Sequence, residues 1–179
     1  MRRISAVSFG VASLFLLNAC ASQQSALPIQ GEVVSCNSIT TNSSQSGVTL
    51  PCMDGKTSMN FGAVRGPLIV NVWGSWCAPC KEEIPFFRSF YAKNQIQILG
   101  VDVEEAAASD GTQFVLENGM TWPSVVDPDG RSRALFGMGV PVTWFIDRNG
   151  AVVHKKIGVL RSEAELRQLA RDYLHLAVN

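Results

Sequence analysis

Residues 68–85 read LIVNVWGSWCAPCKEEIP, an apolar run followed by two cysteines on either side of a proline. This stretch opens with six residues, 68–73, whose apolar composition and length predict a buried β-strand. Pro79 follows shortly after, and proline suits the first turn of a helix because no backbone donor is needed there. The stretch therefore predicts a strand that turns directly into a helix, with Cys77 and Cys80 at the turn.

Two cysteines at this spacing favour thiol chemistry. Cys77 immediately precedes the predicted helix, where free amide groups and the helix dipole stabilise a negative sulfur and lower the pKa of the thiol. Cys80 lies one turn further in, close enough to displace a mixed-disulfide partner by bonding to Cys77. Burial behind Pro79 would keep Cys80 from attacking first. The pattern predicts attack by Cys77 and resolution by Cys80.

Two other interpretations of this cysteine pair are weaker. Zinc needs four ligands, or three and a water molecule, and the only two histidines, His154 and His175, lie far along the chain. A purely structural bridge over so short a loop would constrain the unfolded chain very little. We therefore expect no metal, no role for either histidine and no bound cofactor.

Signals for strands and helices alternate after this stretch. The first helix should be kinked at Pro85 and end near Asn94. Further strands are predicted at residues 96–103, 124–126, 142–147 and 151–157, and helices at residues 110–118, near residues 134–135 and from Ser162, which forms a capping pattern with Glu165. Strands separated by helices pair in parallel, whereas the last two strands form a hairpin at an Asn-Gly turn. The prediction is an α/β fold with a mixed central sheet and helices on both faces.

The N-terminus has the pattern of an export signal. Arg2 and Arg3 precede an apolar run at residues 7–17, which is too short for an ordinary membrane span. Residues 17–20, Leu-Asn-Ala-Cys, resemble the bacterial lipobox, where the signal is cut before a cysteine that receives diacylglycerol. We expect a lipoprotein signal peptide at residues 1–19, lipidation of Cys20, a flexible polar tether at residues 20–30 and one domain at residues 31–179. A plain secretory signal with an incidental cysteine is the alternative.

The other cysteines fit an oxidising compartment outside the cytoplasm. Of five cysteines, four remain if Cys20 carries lipid. Cys77 and Cys80 are close enough to pair with each other, which leaves Cys36 and Cys52 for a second, structural bridge. This bridge would tie a polar loop between short strands near residues 31–36 and 47–52, and so add a β extension before the core strand.

Composition narrows the classes of protein to which the chain can belong. The chain has 179 residues, of which 46% are hydrophobic and 17% charged, so it can bury one proper core. Its formal net charge is zero, with fifteen basic and fifteen acidic residues, and no run of five like charges occurs. Nothing in this charge pattern indicates nucleic-acid binding.

Residues 76–80, Trp-Cys-Ala-Pro-Cys, follow a buried strand and open a proline-containing helix. In this position they resemble the motif of the thioredoxin fold, a three-layer sandwich, and specifically the TlpA/ResA/CcmG (DsbE)-like envelope thiol-disulfide oxidoreductases in lipoprotein form. The resemblance extends over about residues 48–175. It implies that Trp76, Ala78 and Pro79 lie on the surface that meets the substrate.

Two further matches support this resemblance. Residues 139–143, Gly-Val-Pro-Val-Thr, match the family's loop whose cis-proline faces the cysteines. By resemblance, Pro141 keeps the approach to the sulfurs open, and the backbone of Val140 pairs with an extended segment of a partner. Glu83 matches an acidic residue beneath the active site, one helical turn from Cys80. If buried, its pKa should rise so that it can exchange a proton with the resolving sulfur; the alternative is a solvated glutamate beside Glu82.

The resemblance implies a membrane-tethered enzyme that acts on exported protein thiols or disulfides, on the outer side of the bacterial cytoplasmic membrane. The favoured role is a reductase in cytochrome c maturation, with apocytochrome c as partner and a membrane thiol-disulfide protein as electron donor. An oxidase that forms disulfides in exported proteins and a non-catalytic binding module are the alternatives. A peroxidase of this fold usually has Thr-x-x-Cys, whereas Gly74 stands here. Two departures from the family pattern affect partner specificity rather than the reaction class. Gly74 replaces the usual alanine, and residues 142–144 are Val-Thr-Trp where Thr-Thr-Phe is common.

Overall fold

A computed structural model describes residues 30–43, 46–94, 96–137 and 139–176. The predicted signal peptide, Cys20 and most of the predicted tether lie outside the described residues. The helices and strands in chain order are β1 (Thr49–Pro51), β2 (Ser58–Asn60), β3 (Leu68–Trp73), α1 (Ala78–Asn94), β4 (Gln97–Val103), α2 (Ala108–Glu117), β5 (Ser124–Asp127), α3 (Arg133–Phe136), β6 (Val142–Ile146), β7 (Val152–Ile157) and α4 (Glu163–Leu174). Within these ranges, no helix has both the length and the apolar character needed to span a membrane.

The central sheet has five strands in the order β5-β4-β3-β6-β7. Strand β3 pairs in parallel with β4, and β4 pairs in parallel with β5, since helices connect them. Strand β6 runs antiparallel to both β3 and β7. The mixed sheet predicted from the alternation of elements is thereby confirmed.

The side chains of β3 alternate between two cores, one on each face of the sheet. Ile69 and Trp73 pack in the first core with side chains of α1, α2 and α4. Val70 and Val72 pack in the second core with Phe136 of α3 and the N-terminal segment. All six residues of β3 are buried because the sheet is covered on both faces, as expected for a strand that reads as one apolar run. The three-layer prediction is confirmed, although the second face is covered mainly by the N-terminal extension.

That extension differs from the prediction at its beginning. Strand β1 pairs with β2, not with residues 31–36, and Cys36 begins a short 3-10 turn. The predicted strand at residues 31–36 is wrong because the amides of Gly31 and Glu32 donate to Leu116 and Met120 carbonyls instead. The segment therefore lies against the end of α2.

The helix termini follow local capping chemistry. Ser162 caps α4 by accepting a hydrogen bond from the Glu165 N–H at 3.1 Å, as predicted. The Glu165 carboxylate accepts instead from the Arg161 N–H at 2.7 Å. Helix α1 runs through Pro85 as one continuous element of 17 residues, so the cysteines and Glu83 share one rigid support.

Candidate active site

Cys77 and Cys80 form a disulfide at the N-terminus of α1. Cys77 follows a tight turn in which its N–H donates to the Gly74 carbonyl at 3.0 Å. The Cys80 N–H donates to the Cys77 sulfur at 3.2 Å, so Cys77 caps the helix through its Sγ atom. The exposed fraction is 4% for Cys77 and 1% for Cys80. A helix N-terminus is the position at which free amide groups stabilise a cysteine thiolate.

Trp76, Ala78 and Pro79 form an exposed rim around this disulfide. Trp76 is 56% exposed, which excludes the interpretation of Trp76 as an ordinary core residue. Its indole N–H donates to the Val103 carbonyl at 3.2 Å. A Cβ atom at Gly74 would lie 2.6 Å from the indole nitrogen, so the glycine makes room for this tryptophan.

Val140 and Pro141 lie at the start of β6, and the peptide bond between them is cis. Pro141 is buried, and its carbonyl accepts a hydrogen bond from the Gly158 N–H at 3.0 Å. A narrow cavity of about 20 Å³ extends between Trp76 and Val140. Val72, Val103 and Phe136 line its apolar part.

The cavity also has a charged border. Glu104 and Arg133 line it and form an ion pair with an N–O distance of 2.6 Å. Glu104 adopts the left-handed backbone conformation, with φ of 59°, at the end of β4. The pair links the loop after β4 to α3 at the border of this cavity.

Glu83 is fully buried beneath the cysteines, in the core that α1 shares with α4, so the solvated alternative is wrong. Its Oε1 atom accepts a hydrogen bond from the Leu160 N–H. Its Oε2 atom has no hydrogen-bond partner among the described residues. Burial raises the pKa of Glu83 to about 7; the Leu160 hydrogen bond opposes this rise, Glu165 adds to it and Lys156 opposes it. A carboxyl group in this state can accept or donate a proton near neutral pH.

A second buried acid, Asp102, was missed by the sequence reasoning. It lies in β4 opposite Trp73, and burial together with the carboxylates of Glu105 and Asp110 raises its pKa to about 9. Glu105 in turn accepts hydrogen bonds from the backbone N–H and the hydroxyl of Ser75, two residues before Cys77. The signal that could have found Asp102 is a lone carboxylate inside an apolar run. In the part of the chain that the structure describes, no group of three or more potential ligands is arranged to hold a metal ion.

Cys36 and Cys52 form the second disulfide, with a Cα–Cα distance of 6.1 Å. Both residues are buried in the core on the second face of the sheet, together with Leu50 and Val125. Cys77 and Cys80 belong to the core on the first face. Val140 packs against the core that holds Cys77 and Cys80, and it lines the same cavity as Trp76. The Cys36–Cys52 pair lies apart from these residues, in the core on the other face.

Comparison with known proteins agrees with this arrangement. The AhpC/TSA family model matches residues 45–155, more than half of the chain. The thiol-disulfide oxidoreductase ResA of Oceanobacillus iheyensis is 33% identical over 135 residues, covering 70% of this chain and 64% of ResA. ResA of Geobacillus kaustophilus is 33% identical over 106 residues, covering 57% of this chain and 60% of ResA.

A solved structure described as a thiol:disulfide interchange protein DsbE, from Chlorobium tepidum, superposes with a TM-score of 0.63. It is 25% identical, and the match covers 76% of this chain and 99% of that one. The chain spans between half and two thirds of the length of the curated relatives it matches. The resemblance to ResA-type and DsbE-type proteins inferred from the sequence is confirmed.

Proposed function

The chain belongs to the AhpC/TSA family, and we propose that it is a thiol-disulfide oxidoreductase that acts on exported proteins. The observation that carries the proposal is the Cys77–Cys80 pair at the N-terminus of α1 with the buried carboxyl group of Glu83 beneath it. ResA-type and DsbE-type relatives carry the same activity in their names.

The first step uses the reduced enzyme. The Cys77 thiolate, stabilised by the helix N-terminus, attacks one sulfur of a substrate disulfide. A bond forms between Cys77 and that sulfur, the substrate disulfide breaks, and the departing substrate thiolate takes up a proton. The exposed rim of Trp76, Ala78 and Pro79, with the backbone of Val140 and the adjoining Pro141, positions an extended substrate segment for this attack.

The second step releases the substrate. Cys80 transfers its proton to the Glu83 carboxylate, and the resulting thiolate attacks the Cys77 sulfur. The mixed disulfide breaks, the Cys77–Cys80 disulfide forms, and the second substrate sulfur leaves as a thiolate that is then protonated. Two electrons have passed to the substrate, and the enzyme ends in the disulfide state described here.

We propose the reducing direction, with apocytochrome c thiols kept free for haem attachment as the outcome. A membrane protein with a dithiol would supply the two electrons that regenerate Cys77 and Cys80. Lipid on Cys20, after removal of residues 1–19, would hold the domain near that donor on the outer side of the cytoplasmic membrane. The resemblance to lipoprotein members of the TlpA/ResA/CcmG-like group supports this part of the proposal.

Trapping tests the chemistry itself. A Cys80→Ser variant should accumulate mixed disulfides through Cys77 with oxidised substrate proteins, and dithiothreitol should release them. A Cys77→Ser,Cys80→Ser double variant is the matched control. A non-catalytic binding module would give no covalent adduct with Cys80→Ser, and that result would end the enzyme assignment.

A redox titration of the Cys77–Cys80 couple tests the direction. A potential of about −270 mV is that of a thioredoxin-like reductant, whereas a potential of about −120 mV is that of a strong oxidant. We expect the lower range. A value near the upper figure would instead support the oxidase that forms disulfides in exported proteins.

A further inference from the structure

Two adjacent backbone amides, in the loop between β7 and α4, bind two different carboxylates. The Leu160 N–H donates to Glu83, which is buried on α1. The next amide, Arg161 N–H, donates to Glu165 of α4 at 2.7 Å. The buried acid of the site and an acid near the surface are therefore held by consecutive peptide groups.

Glu165 carries a second contact that reaches the same region. Its Oε1 atom lies 2.8 Å from the Nζ atom of Lys156 on β7, and the two side chains are 29% and 26% exposed. Lys156 pairs with Thr143 of β6, two positions from Phe145 and His154, which are also paired. Phe145 belongs to the core under α1 and α4, so Lys156 projects on the face of the sheet that holds Glu83.

The charged groups that act on Glu83 come from these two elements. Lys156 faces it from β7, and Glu165 faces it from α4. On α1 itself, Lys81 and Glu82 are exposed side chains that point away from the core. The nearest titratable sulfur is that of Cys80, one turn before Glu83, and it is held in the disulfide in this state.

We propose that Lys156 and Glu165 are positioning residues that set, through their opposed charges and the Leu160–Arg161 amides, how readily Glu83 exchanges its proton with Cys80. The inference rests on the role of Glu83 proposed above. Lys156 favours the ionised form of Glu83, and Glu165 favours the protonated form, so the ion pair holds the two effects in balance.

The test is a carboxyl titration by ¹³C NMR of the oxidised full chain, with the Glu83 signal assigned by its loss in Glu83→Gln. Lys156→Met should raise the pKa of Glu83, since the favourable positive charge is removed while Glu165 remains. Glu165→Gln should lower the pKa, because a repelling charge is removed and the glutamine oxygen still accepts from Arg161. Lys156→Arg keeps the positive charge, so the pKa of Glu83 should be that of the parent protein.

Lys155→Met is the matched control. Lys155 is the neighbouring residue of the same strand, but its Nζ atom lies 4.1 Å from the ring centroid of Trp144, in the core of the opposite face. We expect Lys155→Met to leave the Glu83 titration unchanged. The inference would be overturned if the pKa of Glu83 were the same in Lys155→Met and Lys156→Met. It would also be overturned if that pKa shifted in the same direction in Lys156→Met and Glu165→Gln. The titration needs no turnover, so failure of the proposed enzyme activity in the trapping experiment is a separate result.

Discussion

The carboxylate of Glu83 accepts a hydrogen bond from the backbone N–H of Leu160, which is 77 positions further along the chain. This contact ties the second turn of α1 to the loop between β7 and α4, and it satisfies only one of the two carboxylate oxygens within the described structure. The other oxygen has no hydrogen-bond partner there, and Cys80 lies one helical turn away, which is the geometry that the proposed proton exchange requires.

Glu83→Gln should slow release of the mixed disulfide about 100-fold at neutral pH, because a general base in the second step is lost. In the parent protein the rate of this step should rise with pH through about 7, as Glu83 becomes ionised, and the variant should lack that rise. Stopped-flow kinetics with a pre-formed mixed disulfide measure the rate of this release step. Glu82→Gln, an exposed change on the same helix, is the control, and an equal loss in both variants would contradict the prediction.

Asp102→Asn should change how stability depends on pH. The pKa of Asp102 is raised from 3.8 to about 9 in the folded protein, so the folded state holds a proton that the unfolded state releases across that interval. The group therefore stabilises the fold most at low pH, and this contribution is lost as pH rises, by up to about 1.4 kcal/mol per pH unit. The free energy of unfolding, measured with urea, should fall less between pH 5 and pH 8 in the variant than in the parent. Asp172→Asn, an exposed change, should keep the parent's behaviour.

Gly74→Ala should displace the indole of Trp76. The new methyl group would lie 2.6 Å from the indole nitrogen, so the hydrogen bond to the Val103 carbonyl must break. Fluorescence quenching by acrylamide should increase because the side chain moves further into solvent. Gly139→Ala, where nothing lies within 4 Å of an added Cβ atom, should leave quenching as it is. Unchanged quenching in Gly74→Ala would show that the indole position does not depend on this glycine.

Replacing both Cys36 and Cys52 by alanine should lower the free energy of unfolding by about 3 kcal/mol, because the bridge closes a loop of sequence separation 16. The same change at Cys77 and Cys80, whose separation is 3, should cost much less. Denaturant unfolding of the two double variants under oxidising conditions compares them directly. A larger loss for the Cys77 and Cys80 pair would contradict a structural role for the first bridge.

The sequence predicts the sheet well because each core strand is a continuous apolar run between turn signals. The strand predicted at residues 96–103 lies at Gln97–Val103, and the helix predicted at residues 110–118 lies at Ala108–Glu117. The Cys77 turn is equally local, since a strand, a short loop and Pro79 occur within one stretch. These features depend on neighbours in sequence, which can be read directly.

The missed features depend on distant neighbours. Residues 31–36 have the composition of a strand, but they bind carbonyls at the end of α2 that only the folded chain brings near. Asp102 lies in an apolar strand, and its raised pKa comes first from burial by the folded sheet and its covering helices, then from Glu105 and Asp110. The contact of Trp76 with Val103 requires the absence of a side chain at Gly74, which no hydrophobic pattern reveals.

The sheet places its two disulfides in different cores, with Cys77 and Cys80 on one face and Cys36 and Cys52 on the other. In thiol exchange, the attacking sulfur must approach a disulfide along the axis of its S–S bond. Here a layer of strands separates the two disulfides. In the proposed reaction, the Cys77–Cys80 bond can therefore open and close repeatedly without shuffling into the other bridge. Correct pairing, once established by folding, is protected by the architecture during every cycle.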